Sequence, residues 1–211
     1  MAGDDGSTRC RVIIGRMRKR PEKTEQTKAE LTEAFWRLYA TTPVEKISVS
    51  QVCTTAGYNR ATFYLHYRDI YDLLESIEAR LLEGMTECVE GCMKRLAADS
   101  GKLALIAALK DVIVYYERNK RYIVVLLGAQ GDPSFTIRLK DALKPLWRRY
   151  VITDTGDHSD QELDLMLEYT LSGTLFMVSR WLQEPGDISA VEIGKLVYDT
   201  SIRDLGQRAA K

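Results

Sequence analysis

Between positions 59 and 66 the chain offers Asn59, Arg60, Thr62, Tyr64 and His66, five hydrogen-bonding side chains in a short span. Phosphates need donors held at fixed points, and base edges need donors aimed into a groove. Arg60 can pair in bidentate fashion with guanine O6 and N7. Asn59 and Thr62 can meet a base or the backbone. Tyr64 and His66 lie two residues apart, so on a helix they point in different directions. Leu65 between them can touch a thymine methyl. Upstream, Ser48 can cap a helix and offer its backbone N–H to a phosphate.

The surrounding residues are those needed to position such a set. Ser48 and Gln51 have capping-box spacing, and Val49, Val52, Cys53 and Ala56 form one apolar face. Gly57 follows, where a left-handed backbone is cheap only for glycine. Asn59 is a good cap for the next helix, expected over Arg60–His66. Phe63 and Tyr67 read as core. Asp69 caps a long helix expected to reach about Ala98, with Ile70, Leu73, Leu74, Ile77, Leu81 and Met85 on one face. A short helix, a glycine turn and a second, polar helix make a helix-turn-helix pattern.

The run Gly57-Tyr-Asn-Arg-Ala-Thr-Phe-Tyr-Leu-His-Tyr67, followed by Asp72-Leu-Leu, resembles the TetR (tetracycline-repressor) family of bacterial one-component regulators. Within it the variant is most similar to the DhaS-type subset that regulates dihydroxyacetone kinase operons. The resemblance covers Thr24–Leu74. It implies phosphate contacts at the rim from Tyr64 and His66, and a fourth helix that transmits ligand state to the DNA-binding domain. One departure stands out: the family's lysine at the start of that helix falls on Ile70, so its phosphate contact is missing here.

The formal net charge is zero, which argues against a general polyanion binder. Charge is unevenly spread, however. From Arg9 to Lys28 eight basic residues face only Glu22 and Glu25, a basic arm suited to nucleic acid. No signal peptide or membrane span is expected, because the apolar run Val12–Ile14 is far too short, so a cytoplasmic protein follows. Cys10, Cys53, Cys88 and Cys92 contain no C-x-x-C pair. Cys88 and Cys92 share a helix face and read first as core filler, second as a redox or metal sensor. No metal site, cofactor motif or clustered catalytic acid, base or nucleophile is present, which leaves a small helical enzyme or carrier as a remote reading.

The expected fold is all-α. Residues 1–21 read as a disordered basic arm and 22–72 as a three-helix DNA-binding domain. Residues 73–211 read as a larger helical ligand-binding and dimerisation domain. Thr24 is the expected cap of the first helix, with Leu31, Ala34, Phe35, Leu38 and Tyr39 as its stripe. Further helices are expected over Lys102–Arg118, then Tyr122–Leu127 capped by Asn119. Ser134–Tyr150 should follow, kinked or split at Pro145. Ser159–Glu162 and Ser189–Glu192 mark the last two starts. Small residues Ser172, Gly173 and Thr174 permit close helix approach, so Leu163–Trp181 and Val191–Ile202 are the expected homodimer surface.

Aromatic residues are plentiful beyond residue 100. The irregular region Leu103–Tyr150 is the expected place for an effector pocket, with Leu109, Tyr116, Tyr122, Trp147 and Phe176 lining it near Leu81 and Met85. The reading is a dimeric transcriptional repressor on a palindromic double-stranded DNA operator, relieved by a small effector. The alternative is a DhaS-like coactivator controlled by a protein partner.

Overall fold

The computed structural model describes residues 6–99, 101–128, 131–152 and 154–209, with side chains over 23–99, 101, 103–128, 131–152 and 154–206. All regular structure among them is helical. The helices are α1 Gly6–Tyr39, α2 Val49–Ala56, α3 Arg60–Tyr64, α4 Ile70–Ala98 and α5 Lys102–Leu126. They continue as α6 Pro133–Tyr150, α7 Asp160–Gln183, α8 Ala190–Val197 and α9 Asp204–Ala209. The chain forms two compact units, Met1–Ile77 and Glu78–Lys211, and the division falls inside α4.

In the first unit α1 begins at Gly6, upstream of the start expected at Thr24. The basic side chains up to residue 22 lie outside the described residues, as does any role of the arm. Leu31, Phe35, Val52, Phe63 and Leu73 are completely buried, and Trp36, Tyr39 and Tyr67 nearly so. Phe35 stacks on Tyr39 at 5.4 Å between ring centroids, and Trp36 meets the same ring edge-on. This is the core expected of the apolar stripe.

In the second unit three expectations are revised. Helix α5 does not break at Asn119. That side chain donates to the Tyr115 carbonyl, 3.0 Å, one turn back, and the apolar run beyond it simply continues the helix. Helix α6 also continues through Pro145, starting with Asp132 as cap and Pro133 in its first turn. The last expected helix is interrupted. Tyr198–Arg203 is wound as a π-helix between α8 and α9. There the Ser201 carbonyl accepts from Trp147 Nε1 at 3.1 Å, and the Ser201 hydroxyl bonds Thr174. Widened turns leave carbonyls for such tertiary partners.

Helices α6 and α7 are held in register by a ladder one turn apart. Lys140 pairs with Glu168, Lys144 Nζ with Asp164 at 2.7 Å, and Arg148 with Asp160 at 3.3 Å. The face of α7 turned inward is Leu163, Leu167, Thr170, Leu171, Thr174 and Leu175.

Candidate nucleic-acid interface and effector cavity

The α2–α3 unit is built almost wholly by local chemistry. Ser48 Oγ accepts from the Gln51 N–H at 3.3 Å, and Gln51 Oε1 accepts from the Ser48 N–H at 2.8 Å. That reciprocal bond corrects one expectation: the Ser48 N–H is committed to Gln51 and is not held out for a phosphate. Gly57 sits at φ +75°, and the Tyr58 N–H closes the turn onto the Cys53 carbonyl at 2.9 Å. Asn59 Oδ1 then accepts from the Thr62 N–H at 2.8 Å and from Thr62 Oγ1 at 3.1 Å. The hydroxyl of Tyr58 donates to Glu30, tying the turn to α1 and holding that carboxyl below its usual range.

Helix α3 is shorter than expected, ending at Tyr64 with Leu65 as its C-cap. Its buried side is Phe63, which Tyr64 and Tyr67 flank at 5.7 Å. Its outward side carries Asn59, Arg60 and Tyr64, the last 51% exposed, and Leu65 at 80%. Arg60 Nη2 donates to the Tyr64 hydroxyl at 3.1 Å, which raises the arginine's already high pKa and presents the two as one exposed pair. Thr62 and His66 are half-buried, and His66 lies beyond the helix against Tyr67, so these two are less presented than Arg60 and Tyr64. Ile70 is buried at 5% exposure, which removes it from any outward contact. The adjacent Tyr71 is 56% exposed, and Arg68 is exposed while paired with Asp72 at 3.1 Å. Neither was singled out from sequence, although their offset from Asp69 places them at the mouth of α4.

The second unit holds a partly open apolar cavity of about 200 Å³ lined by α4, α5, α6, α7 and α8. Of the five residues expected to line it, Leu109, Tyr116 and Trp147 do. The other two stand elsewhere. Tyr122 is buried under Arg121, whose guanidinium lies 4.6 Å from the ring centroid and donates to its hydroxyl. Phe176 is 75% exposed on the outer side of α7, beside a separate surface pocket. Met85 lines the cavity as expected, whereas Leu81 is buried core. Sequence reasoning missed Tyr115, Cys88 and Trp181 as lining. Tyr115 stands three residues from Val112, so helical spacing carried that signal.

Burial raises the Cys88 pKa and pushes Cys92 up to about 11, so both stay protonated and poorly nucleophilic at neutral pH. Among the described residues no cluster of histidine, cysteine, aspartate or glutamate could hold a metal ion. No described helix is long and apolar enough to cross a membrane.

Residues 105–202 match the family model described as the transcriptional regulator C-terminal region, TetR_C_8. No curated protein matches the chain. Among solved structures it is similar to a TetR transcriptional regulator from Streptococcus agalactiae 2603V. That match has 22% identity and a TM-score of 0.62, and covers 89% of this chain and 99% of the other. It is also similar to the dihydroxyacetone kinase operon activator DhaS, with 16% identity and a TM-score of 0.57, covering 85% of this chain and 96% of the other. These likenesses show the fold.

Proposed function

We propose that this chain, a TetR-type regulator in its fold and in the family of residues 105–202, is an effector-controlled repressor that binds operator DNA as a homodimer. Residues 22–72 are its DNA-binding part, 73–211 its regulatory and dimerisation part, and the cytoplasm its place of work. The reading rests above all on the exposed Arg60–Tyr64 pair, carried on a helix that Phe63 anchors in the core. Arg60 reads a guanine edge, with Asn59 and Thr62 beside it. Tyr64 and His66 face the phosphates. The basic arm adds sequence-independent attraction.

Dimerisation is supported by the outer face of α7. Leu165, Tyr169 and Phe176 are 62%, 74% and 75% exposed, with Ser172 and Gly173 between them. Large apolar side chains in one stripe at helical spacing call for a cover, and a second copy supplies an isologous one. Two recognition helices are then presented about 34–36 Å apart, one turn of DNA.

An effector in the apolar cavity favours the conformation that leaves DNA, through the helix that passes it, α4. The competing reading is a coactivator controlled by a protein partner, and the apolar, aromatic-lined cavity favours the small effector. A gel shift against the DNA upstream of its own gene tests the reading. A retarded band with the parent, weakened in Arg60→Ala, is expected. No band from the parent on any upstream fragment sinks the DNA-binding assignment, and a stable protein partner in a pull-down favours the coactivator.

A further inference from the structure

The effector reading leaves the ligand's chemistry open, and the cavity wall restricts it. No charged side chain lines the cavity. Four of its polar side chains are spent on the protein itself. Tyr115 donates its hydroxyl to the Leu81 carbonyl at 3.0 Å, and Trp147 Nε1 to Ser201 at 3.1 Å. Trp181 Nε1 donates to the Ile188 carbonyl at 2.8 Å, and Thr174 Oγ1 to Thr170 at 2.7 Å. Lys120, whose Nζ lies 5.8 Å from the Tyr116 ring centroid, is exposed and outside the wall. A carboxylate or ammonium group entering here would lose its water without gaining a counter-charge, the costliest kind of burial.

The shape is equally selective. Tyr116 and Trp181 meet at 5.4 Å and 50°, and Trp147 and Tyr115 complete an aromatic enclosure. An apolar cavity of roughly 150 Å³ accepts benzene, so the 200 Å³ here admits a larger ring system. We infer that the cavity takes a neutral aromatic molecule of about one to two rings and rejects the same skeleton bearing a carboxylate. This rests on the effector reading only for its biological use. The binding itself follows from the wall.

The test is calorimetric titration of the full chain with 1-naphthol and with 1-naphthoate near neutral pH, without DNA. Saturable 1-naphthol binding, at least about tenfold tighter than 1-naphthoate, is expected. Val112→Phe and Val178→Phe, each filling the cavity from a different helix, should each weaken 1-naphthol by at least about tenfold. Equal binding of the two probes, no binding of 1-naphthol, or undiminished binding to a folded filled variant overturns the inference. Should neither variant fold, the two probes on the parent decide. An operator shift with the same preparations separates the two ideas. Naphthol binding without any effect on DNA retention leaves the cavity chemistry standing and removes the effector role. Operator binding without naphthol binding does the reverse.

Discussion

The hydroxyl end of the Tyr115 ring of α5 lies against Gly84 of α4, so close that a Cβ at position 84 would fall 2.5 Å from the ring edge. Its hydroxyl reaches past that glycine to the Leu81 carbonyl at 3.0 Å. The same ring forms part of the cavity wall. Glycine inside a helix costs roughly 1 kcal/mol against alanine, and the close approach offsets that cost. Gly84→Ala should therefore displace the ring and destabilise the protein by about 1–3 kcal/mol in urea unfolding. In a Tyr115→Ala background the same change should be neutral or stabilising. A penalty of equal size in both backgrounds would show that Tyr115 is not the obstacle.

Arg60→Ala should weaken operator binding by about 1–3 kcal/mol and relax the preference at one base pair per half-site. Removing residues 1–20 should instead weaken all sequences alike and flatten the salt dependence. Binding isotherms on operator and scrambled DNA over a salt series distinguish these outcomes. Equal loss of specificity from both changes would refute the division of labour.

Phe176→Glu and Tyr169→Glu place charge on the outer face of α7 without touching its buried face. Both should leave the helical content unchanged, shift sedimentation from dimer toward monomer, and abolish tight operator binding. Leu167→Ala, by contrast, removes a completely buried side chain and should cost about 2–5 kcal/mol of stability. A Phe176→Glu protein that still sediments as a tight dimer places the interface elsewhere.

Trp147 serves two roles, as cavity wall and as buried donor to Ser201. Trp147→Ala should cost about 3–5 kcal/mol and so confuse folding with signalling. Trp147→Phe keeps much of the volume. It should retain operator binding while changing the effector concentration needed for release. An unchanged response to the effector would assign the residue to the core alone.

The buried Cys92 thiol gives a pH dependence of definite sign. Its folded pKa, about 11, stands above the ordinary 9.0 because burial penalises the thiolate. Its contribution is fully present below pH 9.0 and is lost as pH rises toward about 11, since the unfolded chain releases the proton first. Guanidinium midpoints across that range should fall more steeply for the parent than for Cys92→Ala. Parallel curves would mean that the thiol is not desolvated in the folded protein.

Much of this protein was legible in the sequence wherever the deciding interaction spans a few residues. The capping boxes at Ser48, Ser159 and Ser189, the left-handed Gly57 and the Asn59 cap all form, because each joins groups within four residues. The apolar stripe of α1 and the burial of Phe63 followed from helical spacing in the same way. Tertiary structure decided the rest. Asn119 was as good a cap as Asn59, yet it folds back onto its own helix, and no local rule separates the two outcomes. In α7 Phe176 was expected to line the cavity. Only packing against α6 and the π-helical turn shows that Leu171 is buried and Phe176 is exposed. Likewise Tyr122 is sealed off by Arg121, while Tyr115 and Trp181 close the cavity. These choices rest on partners such as Trp147 and Ser201 or Tyr115 and Leu81, separated by 54 and 34 residues. Helical periodicity states which side chains share a face. Which neighbour that face meets, and where a void remains, is settled only when distant helices pack.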